Sequence, residues 1–239
     1  MRPLQPIECT HAGTLLRGLI AVPDGAGPFP AVLVMHSALG LRHMVGDTAR
    51  KLADLGYLAV ATDMYGADAD FSDDQKAGAF FQMLGEQPQF LRDRCTAWFD
   101  HVAAMSQVDA GRMAAIGYCF GGKCVLELAR SGRDVKAAVS YHGTLETHAP
   151  ARPGEVRGMV AAWCGEADPY APQAHIDQLR AEMQAAGTRY QITLLGGVEH
   201  GFTDPDAAAL GRPGIVYDAA AAKVSWAGTL ALLQETIGQ

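Results

Sequence analysis

Six apolar runs separated by helix-length spacers constrain this chain more than any other feature of its sequence. They span 31–36, 58–64, 113–118, 135–141, 159–164 and 190–195. Several are continuously apolar rather than alternating, as expected of strands covered on both faces. Between them the apolar residues recur at helical spacing, over 44–55, 88–105, 120–131, 172–186 and 217–237. In the first of these Val45, Ala49, Leu52, Ala53 and Leu55 form the stripe, and Gly56 stands where a helix stop belongs. Alternation of this kind predicts an α/β protein with a mostly parallel central sheet and helices on both faces. At 239 residues and 49% apolar composition the chain can bury a sizeable core, and one domain over 1–239 is expected.

The remaining composition narrows the function classes. The formal charge is −7, and no window gathers the Lys and Arg that a phosphate backbone requires, so nucleic-acid binding is not expected. The longest apolar runs, such as 31–35, fall far short of the ~20 residues that cross a bilayer, so no membrane helix is expected. Residues 1–10 hold one Arg, two prolines and no apolar stretch, unlike a secretory leader, and a cytoplasmic location is the expectation. Cys9, Cys95, Cys119, Cys124 and Cys164 show no C-x-x-C pair and no clustering with His. Neither a disulfide framework nor a metal site is expected, and no cofactor is implied.

In open α/β sheets ligands bind beyond the carboxyl ends of the strands, so the residues that follow each strand matter most. Gly117-Tyr118-Cys119-Phe120-Gly121-Gly122 lies where an expected strand turns into an expected helix. This is the pattern of a nucleophile elbow, with Cys in place of the usual Ser. A helix starting at Phe120 directs its amide dipoles at the Cys119 sulfur and favours the thiolate. In such sheets the acid and the base follow later strands, in the order nucleophile, acid, base. Asp168 follows the fifth run and His200 the sixth. Asp168 also has the position of a helix N-cap, and Glu166 is an alternative acid. Among rival bases, His36 precedes the nucleophile and His175 falls within a helix, while His142 remains open. No Ser sits between two glycines at elbow spacing, so a serine mechanism is not expected. The oxyanion donors expected for this geometry are the N–H groups of Phe120 and of Ala38, in the loop after the first central strand.

The elbow, the Asp168 and His200 segments, and the stretches 34–41 and 61–66 together resemble the dienelactone hydrolase (carboxymethylenebutenolidase) family of the α/β-hydrolase fold. The resemblance covers nearly the whole chain and is most specific at the Cys elbow. It implies a monomer that cleaves a small-molecule ester or lactone, with Cys119 as nucleophile, His200 as base and Asp168 orienting the imidazole. His36, Ser37, Tyr141, His142 and Phe202 are the candidate pocket residues, with Phe71, Phe80, Phe81 and Phe90 as further apolar candidates. Two family positions differ. Ser37 stands where members carry a Glu that controls the Cys, and Thr203 and Asp204 stand where dienelactone-cleaving members carry a carboxylate-gripping Arg. Arg42, Arg92 and Arg94 are candidate substitutes, and the acidic stretch 65–75 is a candidate wall or lid. Two other classes stay open: a non-catalytic binding module on the same fold, and a thiol redox or metal protein built on Cys119.

Overall fold

A computed structural model describes residues 2–69 and 74–238. Its centre is an eight-stranded sheet in the order β1-β2-β4-β3-β5-β6-β7-β8. The strands are β1 (Gln5–His11), β2 (Thr14–Ala21), β3 (Phe29–Met35), β4 (Leu58–Thr62), β5 (Val108–Tyr118), β6 (Ala137–Tyr141), β7 (Met159–Gly165) and β8 (Tyr190–Leu195). From β4 to β8 every pairing is parallel; β1 and β2 form an antiparallel hairpin, and β2 joins β4 antiparallel. That hairpin is absent from the sequence expectation. Its tight connection uses Ala12 and Gly13, both at positive φ, as a two-residue turn between right-twisted strands demands.

Helices cover both faces. α1 (His43–Asp54) and α6 (Ala219–Ile237) pack on one; α3 (Pro88–Ala103), α4 (Phe120–Arg130) and α5 (Gln173–Ala185) pack on the other. Alternation along β3 serves both layers: Val32 and Val34 join the core under α1 and α6, while Leu33 and Met35 join the core under α3 and α4. α2 (Asp74–Gly85) was not expected from the sequence, where Gly78 and a weakly amphipathic pattern obscure it. Of the expected acidic stretch, Asp70, Phe71 and Asp73 lie outside the described residues.

Chain order reverses at the centre of the sheet. β3 is flanked by β4 on one side and β5 on the other, and Met35 pairs with Gly117. The loop leaving β3 and the turn leaving β5 therefore meet at the switch point where such sheets bind ligands. Among the described residues no helix is long and apolar enough to cross a membrane.

Candidate active site

Cys119 occupies the strained turn between β5 and α4, at φ 55° and ψ −113°. A non-Gly residue rarely adopts positive φ, and here the neighbouring backbone fixes it. The Cys119 N–H donates to Tyr141 O at 3.0 Å, and the Cys119 carbonyl accepts from Gly122 N–H at 2.9 Å. The turn also depends on glycine. A Cβ on Gly117 would overlap the Gly121 carbonyl, and one on Gly121 would overlap the carbonyl of Met35. The start of α4 is thus pressed against the end of β3, which draws the β3 loop over the sulfur.

Around Cys119 the strand ends converge. The His200 side chain hydrogen-bonds to the Cys119 sulfur, and the backbone N–H groups of Ala38 and Phe120 donate to it as well. On the far side of the ring, His200 Nδ1 lies 2.8 Å from Asp168 Oδ2, and both residues are buried. Asp168 Oδ1 accepts from Tyr170 N–H at 2.8 Å, so both carboxylate oxygens are engaged. The loop after η1 (Ala207–Leu210) braces the segment: His200 N–H donates to Gly214 O at 3.0 Å, and Val216 N–H to His200 O at 2.9 Å.

Electrostatics follow from these contacts. Burial alone would lower the His200 pKa, but the hydrogen bond it donates to Asp168 and the interaction with Cys119 prevail and raise it from 6.5 to about 10. Burial alone would raise the Cys119 thiol; the His200 bond and charge, with the two backbone N–H groups, outweigh it and leave the thiol below its ordinary value. Both shifts favour the charged form, of the imidazole and of the thiol alike. His142 behaves oppositely. Burial, reinforced by the nearby His200 charge, holds it well below the usual imidazole range, so it remains neutral with its ring 4.9 Å from His200.

A largely apolar cavity opens above Cys119, with Ser37, Ala38, Phe81, His142, Tyr170 and Arg212 among its lining. Of the candidate pocket residues, Ser37 and His142 line it, whereas His36, Tyr141 and Phe202 do not. Strand alternation explains Tyr141, whose hydroxyl points under α6 to Thr229. Phe202 is fully buried beneath His142, their rings 5.0 Å apart, and His36 sits behind the β3 loop. Ser37 Oγ is directed at its own loop, accepting from Leu39 N–H at 3.3 Å.

The alternatives weighed from the sequence are placed elsewhere. Glu166 is exposed and accepts from Gly197 N–H; His175 pairs with Glu146. Arg92 binds Glu127 and Arg94 binds Met64 O, both away from the cavity, and Arg42 lines a neighbouring depression. Of the phenylalanines, Phe81 lines the cavity, Phe80 stacks on Tyr65, and Phe90 packs against His11. Arg212, Tyr170 and Thr144 were not singled out in the sequence. Their approach depends on loop paths that no local motif encodes. Among the described residues no group of His, Cys, Asp and Glu has the arrangement of a metal site.

An eight-stranded, mostly parallel sheet with an elbow at its switch point and a His–Asp pair at later strand ends defines an α/β hydrolase. The dienelactone hydrolase family model matches residues 16–237, and the chain belongs to that family, a hydrolase of the carboxylic ester and lactone class. It is 29% identical to a putative carboxymethylenebutenolidase of Salmonella typhimurium, across 94% of this chain and 89% of that one. Among solved structures it superposes on the protein m3DLH with TM-score 0.91 at 33% identity, covering 98% of each chain. A dienelactone hydrolase-like promiscuous phosphotriesterase from metagenomic libraries superposes equally well, with TM-score 0.91, 33% identity and 99% of each chain covered.

Proposed function

We propose that this hydrolase works through Cys119, His200 and Asp168, forming a thioester acyl-enzyme from an ester or lactone. The supporting observation is a single connected path, from Asp168 Oδ2 through the His200 ring to a sulfur that also accepts two backbone N–H groups. The Cys119 thiolate attacks the substrate carbonyl carbon, and the carbonyl electron pair moves onto oxygen. The N–H groups of Ala38 and Phe120 receive that oxyanion, each contributing about 3 kcal/mol in comparable sites. As the C–O bond breaks, His200 gives its proton to the departing oxygen. It then takes a proton from water, whose oxygen attacks the thioester, and the thiolate leaves.

Leaving-group chemistry sets the preference. A thiolate departs more readily than an alkoxide, so the intermediate from an unactivated alkyl ester collapses back to substrate. Enol lactones, aryl esters and thioesters are the favoured class, and phenyl esters are cleaved faster than ethyl esters. Ser37 carries no charge to repel the thiolate or take its proton, so the ion pair persists without substrate. Arg212 also lines the cavity and gives a substrate carboxylate a partner from a different position than the family's.

Incubation with p-nitrophenyl acetate tests the reading. A burst followed by turnover, both abolished by Cys119→Ala, supports it. No burst and no turnover from folded protein overturns it in favour of a binding module.

A further inference from the structure

The imidazole of His36 lies behind the β3 loop, fully buried and outside the cavity, yet both of its nitrogens are committed to backbone groups beside the site. Nε2 lies 3.0 Å from the Met64 N–H, which can only donate, so Nε2 is the unprotonated nitrogen. Nδ1 therefore carries the proton and donates to Ser37 O at 2.7 Å. The same carbonyl accepts from Gly40 N–H at 3.1 Å. Ser37 C=O and Ala38 N–H belong to one planar trans peptide and point in opposite directions. Fixing that carbonyl on the inner side aims the Ala38 N–H outward at Cys119.

The anchor itself is stiff. Asp63 accepts from the N–H groups of Arg17, Tyr65 and Gly66 at about 3 Å. Arg94 binds Met64 O, and Trp98 Nε1–H binds Asp63 O at 2.7 Å. A second brace holds the next peptide, where the Tyr65 hydroxyl donates to Ala38 O at 2.9 Å. Tyr65 in turn stacks on Phe120, the residue that supplies the other N–H.

We propose that His36, with Tyr65, is a positioning residue that sets the Ala38 N–H for the oxyanion by clamping the Ser37 and Ala38 carbonyls to the rigid segment after β4. It rests on the Cys119 reading above and adds to it a function for two residues that never touch substrate. A donor that meets the substrate oxygen only in the transition state changes kcat and leaves KM nearly unaltered. Misplacement of a reacting group by about 1 Å costs roughly 100-fold.

Asn and Gln separate the two nitrogens of the ring. His36→Asn retains a donor close to the main chain for Ser37 O, whereas His36→Gln retains an acceptor for Met64 and withdraws that donor. The expected result with p-nitrophenyl acetate is a kcat loss of about 10- to 100-fold for Gln, an unchanged KM, and substantial recovery in Asn. Because Ala38 N–H also donates to the Cys119 sulfur, the Gln protein should need a higher pH for alkylation by iodoacetamide, a readout that does not require turnover. Equal losses in both variants would mean a general packing defect and would overturn the proposal. So would a Gln protein with the parent's kcat and alkylation profile.

If the Gln chain does not fold, Tyr65→Phe decides. A lower kcat at the parent's Tm supports the clamp, and an unchanged kcat refutes it. Parent protein inactive on aryl esters would remove the Cys119 reading and this one together, while an active parent with indifferent variants removes only this one.

Discussion

Replacing Asp168 with Asn isolates the part of the site that holds the imidazole. Together Asp168 and Cys119 lift His200 from 6.5 to about 10 against an opposing burial effect. At ~1.36 kcal/mol per pKa unit this favours the charged ring by about 5 kcal/mol. The bond at 2.8 Å to Asp168 Oδ2 is the largest favourable contribution, so a substantial part of that energy should vanish with the carboxylate charge. The amide can also offer an N–H to Nδ1, which would turn the ring to the wrong tautomer and leave Nε2 unable to accept a proton. Both effects act on the same step, and kcat/KM for p-nitrophenyl acetate should fall by about 10³- to 10⁴-fold. The variant is expected to fold, because the substitution is nearly isosteric. Its Cys119 should alkylate at distinctly higher pH, since a weakened imidazolium no longer holds the thiolate. A folded Asp168→Asn protein within a few-fold of the parent, with an unmoved alkylation profile, would refute the assignment of Asp168.

Other substitutions probe separate links. The raised His200 pKa stabilises the fold fully below the unfolded value of 6.5, and this contribution disappears as pH rises through about 10; His200→Gln should therefore lower Tm more at pH 6 than at pH 10. Gly121→Ala forces a Cβ into the Met35 carbonyl, and urea unfolding should show a loss of about 3 kcal/mol along with most of the activity. Arg212→Ala should raise KM for an anionic aryl ester about tenfold and leave KM for p-nitrophenyl acetate unchanged, as expected if the guanidinium meets a carboxylate.

The strands buried on both faces were legible because a continuous apolar run has few other uses; the half-exposed edge strand β8 also has the bounds its pattern suggests. Cys119, Asp168 and His200 were legible for a related reason: each follows a strand, and parallel strands deliver their carboxyl ends to one edge. The β1–β2 hairpin was not. Its strands lie at and next to the sheet edge, where Gly18 and charged residues interrupt the pattern. Gly18 itself is required by packing, since a Cβ there would crowd the Ala61 carbonyl. Position along the chain also does not give direction. Tyr141 and His142 are neighbours, yet Tyr141 at the end of β6 lies beneath α6, while His142, past the strand at φ 38°, lines the cavity. Arg212 was invisible because its approach depends on the backbone bonds between His200 and the 214–216 segment.

The most direct test of the account is the pH dependence of Cys119 alkylation in the parent protein, with the modified site mapped by peptide mass. Of the five cysteines the other four are buried, so the reaction reports on Cys119. A midpoint clearly below the free-thiol value of ~8.5, shifted upward in His200→Gln, is the predicted result. A midpoint at or above that value, unchanged by loss of the imidazole, would contradict it.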